Sequence, residues 1–140
     1  DELCNFKLED YIKKNKRKIG IIFNTDNHDE DGAHWISMFI DINKIDPYIF
    51  FFDSTGDPIP NEIKNLQDRI IEQGKELGIN FKLENTTKIK HQKKDTECGI
   101  YSLYLLINLI ENKKNIDYFK NNIISDEDME PFRKIYFNSD

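Results

Sequence analysis

Three features of the sequence predict an α+β domain, with a mostly antiparallel mixed sheet packed against a central helix and further helices at its flanks. Two neighbouring segments, HWISMFIDI and YIFFFDS, carry the apolar patterning of paired strands. A later run from Cys98 to Ile110 is apolar nearly all round, as expected of a helix buried on most of its surface. Amphipathic helical patterns stand first, between the strands and last, an order that suits helices laid on a sheet.

Element by element, Phe6 to about Lys16 sets Phe6, Leu8, Tyr11 and Ile12 on one stripe, which predicts a short amphipathic helix. Ile19 to Asn24 is a compact apolar run read as a strand, followed by the polar turn TDNHDEDG. In HWISMFIDI, His34, Ile36, Met38, Ile40 and Ile42 point one way, and Trp35, Ser37, Phe39 and Asp41 the other. His34 therefore begins a strand. After a turn around Asn43 to Pro47, YIFFFDS is apolar on both faces, as in a central strand covered from two sides, and it runs into Asp53. STGDPIP is a loop, and Asn61 is predicted to cap a helix that reaches about Leu77, is weakened by Gly74 and stops before Gly78. Ile79 to Leu83 and Thr87 to His91 are expected as short strands, with QKKDTE as a polar linker. Asn115 to Ile124 and Asp126 to Phe137 read as closing helices, the second interrupted by Pro131.

A length of 140 residues suits one domain over 1–140, and ten Phe and six Tyr argue for a packed core rather than disorder. The run from Gly99 to Ile110 is broken by Ser102 and Asn108 and is too short to span a bilayer, so no membrane association is expected. The chain begins at Asp1 without a signal-like region, which suggests a domain excised from something longer. A net charge of -6 excludes nucleic acid as a default partner, and the run Lys13, Lys14, Lys16, Arg17, Lys18 reads as a solvated helix face. Two distant cysteines, Cys4 and Cys98, make neither a disulfide framework nor a zinc-ligand spacing. An intracellular, reducing setting and a monomer are expected, with no metal and no cofactor.

The chemistry starts at Cys98. At a helix N-terminus, unpaired backbone N–H groups and the macrodipole favour the thiolate, which is the nucleophilic form. Gly99 keeps side-chain bulk away from the sulfur. Read by itself, Cys98 serves equally well as a small core residue. Of three histidines, His28 lies among Asp26, Asp29, Glu30 and Asp31 and reads as a solvated loop residue, while His91 sits on a polar segment that mounts a base poorly. His34 is better placed, because its apolar same-side neighbours should turn it toward the layer where the Cys98 helix packs; a structural histidine is the alternative. Asp53 would lie across from His34 if the two strands pair, although an aspartate opening the turn Ser54, Thr55, Gly56 explains it too. Gln92, six residues before Cys98, is a candidate oxyanion donor together with the Cys98 N–H.

The order HW, then FFDSTG, then QKKDTECG resembles the clan CE cysteine proteases, which contain the SUMO- and NEDD8-specific proteases, the adenovirus endopeptidase and the processing proteases of large DNA viruses. The resemblance covers about residues 19–110. It implies a papain-like core with the permuted order His-Asp-Cys: His34 as general base, Asp53 as its orienting partner, Cys98 as nucleophile and Gln92 as oxyanion donor. It also implies that Trp35 walls the substrate channel, with Gly99 leaving the approach clear. Lys94, Asp95 and Thr96 before Glu97 depart from many SUMO-protease relatives, which leaves substrate preference open, and DSTGDPIP is closer to the viral branch. The implied substrates are ubiquitin or a ubiquitin-like protein, or a viral polyprotein; acetyl transfer by the same triad, as in some bacterial effectors of this clan, is a further alternative.

Overall fold

The computed structural model describes residues 5–26, 33–86, 90–91 and 98–137. The described elements are α1 (Leu8–Lys13), β1 (Lys18–Asp26), β2 (Ala33–Asp41), β3 (Tyr48–Phe52), α2 (Asn61–Glu76), β4 (Lys82–Asn85), α3 (Cys98–Ile110), α4 (Ile116–Asn121) and α5 (Asp126–Phe137). The strands form one sheet in the order β1-β2-β3-β4, antiparallel except for the parallel pair β3 and β4. The α+β architecture with a mixed sheet and flanking helices is as the sequence predicts.

Strand alternation divides the core into two layers. Ile36, Met38 and Ile40 of β2, with Ile49 and Phe51 of β3, are buried against Ile63, Leu66 and Ile70 of α2 and Leu8 of α1. On the other face, Phe39, Phe50 and Phe52 meet Ile100, Tyr101, Tyr104, Leu105 and Leu109 of α3, with Phe119 of α4 and Met129 of α5. β3 is thus covered from both sides, which is why its sequence does not alternate. The same division corrects one expectation. The apolar positions that share His34's alternation class in β2 face α2, and it is the Ser37 and Phe39 face that packs on α3.

Local chemistry sets the helix ends. Pro60, not Asn61, occupies the N-cap of α2 and makes no side-chain cap bond, so Asn61 is the first helical residue. Gly74 is required where it stands: a Cβ there would lie 2.8 Å from Phe81 Cε2 and 2.9 Å from the Ile79 carbonyl oxygen. It admits the returning chain rather than weakening the helix. Gly78, at φ 79, then turns the chain out of α2 in the left-handed conformation that ends many helices. Gln73 of α2 secures α1 at both ends of its amide, accepting from the Leu8 N–H at 2.8 Å and donating to the Phe6 carbonyl at 2.9 Å.

The fourth strand begins at Lys82 rather than Ile79, where it can pair with Tyr48. Of the expected strand from Thr87 to His91, residues 87–89 lie outside the described residues, and Lys90 and His91 are not in a strand. α5 runs through Pro131 without a break. Its start is fixed by a reciprocal cap, in which the Asp128 N–H donates to Ser125 Oγ and the Ser125 N–H donates to Asp128 Oδ2.

Candidate active site

His34, Asp53 and Cys98, three of the residues singled out for chemistry, sit at element boundaries. His34 is the second residue of β2, paired in register with Thr25 of β1. Cys98 is the first residue of α3. The Ser102 hydroxyl donates to the Trp35 carbonyl at 3.4 Å. Ser102 lies one helical turn after Cys98, and Trp35 adjoins His34, so this bond seats the first turn of α3 on the start of β2.

Asp53 directly follows the last paired residue of β3, Phe52, whose partner is Ser37. Asp53 is buried, at 4% exposure. Its Oδ1 accepts from the Thr55 N–H at 2.9 Å and from the Thr55 hydroxyl at 2.6 Å, while its carbonyl accepts from the Gly56 N–H at 2.9 Å. The turn role of this aspartate is realised, and it holds the carboxylate in one orientation at the strand end.

The first turn of α3 contains no acidic side chain, so nothing within it offsets the positive end of the helix dipole at position 98. Trp35 is 38% exposed and Ile22, diagonal to it on the neighbouring strand, is 36% exposed, giving an apolar shelf beside the start of β2. Gly99 is the second residue of α3. Gln92 lies outside the described residues, as do His28 and Cys4. Among the described residues there is no cluster of His, Cys, Asp or Glu able to hold a metal ion, and no helix is long and apolar enough to cross a membrane.

Three residues beside this site were not legible as such in the sequence. His91 is buried at 1% exposure, in contrast to the mobile polar segment its neighbours suggest. Its Nδ1 accepts from the Ile124 N–H at 2.9 Å, which places the ring proton on Nε2. Burial holds this imidazole below its ordinary pKa, so it is a neutral packed residue rather than a base. Tyr101, in the first turn of α3, directs its buried hydroxyl at the Ile124 carbonyl, 2.8 Å away, with Asp126 Oδ1 at 3.2 Å and the His91 carbonyl at 3.3 Å. Ser102 is the third. A histidine in a lysine-rich stretch carries no local sign of burial, whereas Tyr101 and Ser102, as polar tips on an apolar helix, are the kind of residue that needs a partner.

Comparison with known proteins places the chain among cysteine proteases in sequence and in fold. Residues 7–140 match the family model described as the Ulp1 protease family, C-terminal catalytic domain. A SUMO-1 cysteine protease of African swine fever virus is 31% identical over 126 residues, which cover 90% of this chain and 46% of the relative. A protein of Acanthamoeba polyphaga mimivirus named as a thiol protease is 27% identical over 135 residues, covering 96% of this chain and 44% of the relative. A crystal structure of the African swine fever virus protease superposes with a TM-score of 0.77 at 30% identity, over 84% of this chain and 43% of that one. The chain spans about half the length of the curated relatives it matches.

Proposed function

Since the chain belongs to the Ulp1 protease family, we propose that it hydrolyses the peptide or isopeptide bond after the C-terminus of ubiquitin or a ubiquitin-like modifier, with His34, Asp53 and Cys98 as its triad. The single observation that carries this reading is the Ser102–Trp35 hydrogen bond, which seats the helix opened by Cys98 on the start of the strand that bears His34.

In the mechanism that follows, His34 takes the thiol proton of Cys98 and the resulting thiolate attacks the scissile carbonyl carbon. The carbonyl π electrons move onto oxygen, where the Cys98 N–H and the Gln92 side-chain amide stabilise the oxyanion. Collapse of the tetrahedral intermediate breaks the C–N bond as the imidazolium gives its proton to the leaving amine, leaving a thioester. Water, deprotonated by His34, then attacks the thioester and releases the carboxylate and the free thiol. Asp53 holds the imidazole in the productive tautomer and stabilises its cationic form. Trp35, with its exposed indole at the start of β2, lines the path of the substrate's C-terminal residues, and Gly99 leaves the approach to the sulfur open.

The modifier reading draws support from the relative named as a SUMO-1 cysteine protease. A second reading, maturation of a viral polyprotein after small residues, draws support from the viral source of both curated relatives. SUMO and ubiquitin bearing a C-terminal thiol-reactive group separate the two: labelling of Cys98 by either modifier supports the first, and cleavage of a polyprotein peptide without such labelling supports the second.

A further inference from the structure

His91 stands at the meeting point of the elements that carry the proposed triad, yet it has no role in the mechanism above. Its main-chain N–H donates to the Ser54 carbonyl at 2.8 Å, one residue beyond Asp53. Its carbonyl faces the Tyr101 hydroxyl at 3.3 Å, in the turn of α3 that Cys98 opens. These two backbone contacts link the Asp53 turn to the nucleophile's helix. The side chain is what fixes the residue in place: Nδ1 accepts from the Ile124 N–H at 2.9 Å, and the ring packs 5.5 Å from Phe52 and 6.4 Å from Tyr101, centroid to centroid. Nε2 is buried, makes no hydrogen bond of normal geometry among the described residues and has only a weaker interaction with the Phe119 main chain, so the Ile124 bond is the best-formed polar contact of the imidazole.

We propose that His91 is a positioning residue, a buried clamp whose Nδ1–Ile124 bond holds the Asp53 turn against the first turn of α3. The proposal rests on the reading of His34, Asp53 and Cys98 as a triad. The geometry favours a positioning role over simple space filling. A space-filling residue needs volume at this point, whereas the clamp needs an acceptor at the Nδ1 position and nowhere else on the ring. Asparagine puts its Oδ1 near that position; glutamine carries its amide about one bond too far. The ionisable groups at the cluster are Tyr101 on α3 and Asp126 at the start of α5, with Asp128 and Glu127 acting on Tyr101 from further off; α4 presents the Phe119 ring and its main chain.

The test is the pH profile of Cys98 alkylation by iodoacetamide in the wild type, His91→Asn, His91→Gln and His91→Leu, with peptide mass spectrometry separating Cys98 from Cys4. A thiolate–imidazolium pair gives a rate plateau that extends well below the free thiol's range. Loosening the Asp53 turn weakens support for the imidazolium, so His91→Leu and His91→Gln should shrink that plateau about tenfold and raise its acid limb, while His91→Asn recovers most of it. A plateau left unmoved by Leu and Gln overturns the proposal, as does equal loss in Asn and Gln, which assigns the effect to packing alone. If the wild type itself shows only the rise of an ordinary thiol, the triad reading fails first, and the two failures are told apart by that profile.

Discussion

Ser102 and Trp35, 67 positions apart in sequence, are joined by a partly buried hydroxyl-to-carbonyl hydrogen bond of 3.4 Å. Through it, α3, whose first residue is Cys98, is docked on the start of β2, whose second residue is His34. Docking by a small hydroxyl keeps the helix close to the sheet, as does Gly20 further along the same interface, where a Cβ would sit 3.2 Å from Leu106 Cδ1.

Ser102 substitutions should therefore separate stability from geometry. Ser102→Ala loses one hydrogen bond, about 1 kcal/mol, and keeps the close approach. Ser102→Leu inserts bulk between α3 and β2 and should lower the Cys98 alkylation rate about tenfold or more in the folded protein. Urea unfolding and alkylation kinetics on both variants check this; an equal alkylation rate in Ser102→Leu would show that the docking does not set the site.

Gly74→Ala is a second case, in which helix propensity and packing pull in opposite directions. Alanine gains about 1 kcal/mol in an exposed helix interior. Here the added methyl meets Phe81 and the Ile79 carbonyl below 3.0 Å, so the net effect should be a loss of about 1–2 kcal/mol. A denaturation midpoint at or above wild type would contradict the contact. The α2 to β4 connection is remote from the site, so the alkylation rate of the folded variant should be unchanged.

Acid should expose the buried imidazole of His91. Its folded pKa is held down by burial, so above about pH 6.5, the ordinary imidazole value, the ring is neutral in both folded and unfolded chains and its contribution is complete. As pH falls from there through the depressed folded value, the unfolded chain takes up a proton that the folded chain refuses, and stability is lost. Melting temperatures between about pH 7.5 and 5 should fall more steeply in the wild type than in His91→Asn. Parallel slopes would mean that His91 is not buried as a neutral ring.

Much of this arrangement could be read from the sequence, and the failures share a cause. The alternation of β2 and the two-sided burial of β3 are properties of single segments, so HWISMFIDI and YIFFFDS placed both strands correctly. Which face of β2 meets α3 is decided by where another part of the chain packs, and the apolar count of the two faces misled, since Ile36, Met38 and Ile40 turn to α2. Gly74 seemed a weak point because its propensity is visible and Phe81's approach is not. Asp53 is legible in the sequence as a turn residue, and the turn is formed, with its carboxylate bonded to Thr55. The burial of His91 has no local sign in the sequence, because its partners Ser54, Ile124 and Tyr101 come from two loops and a helix far apart in the chain.

The most direct test of the central claim is covalent labelling of Cys98 by a modifier. The protein is incubated with SUMO and with ubiquitin, each carrying a C-terminal thiol-reactive electrophile, with Cys98→Ala in parallel. A stable adduct is expected with at least one modifier, mapped to Cys98 and missing in Cys98→Ala. An adduct of equal yield in Cys98→Ala, or none with either modifier while a polyprotein peptide is cleaved, would contradict it.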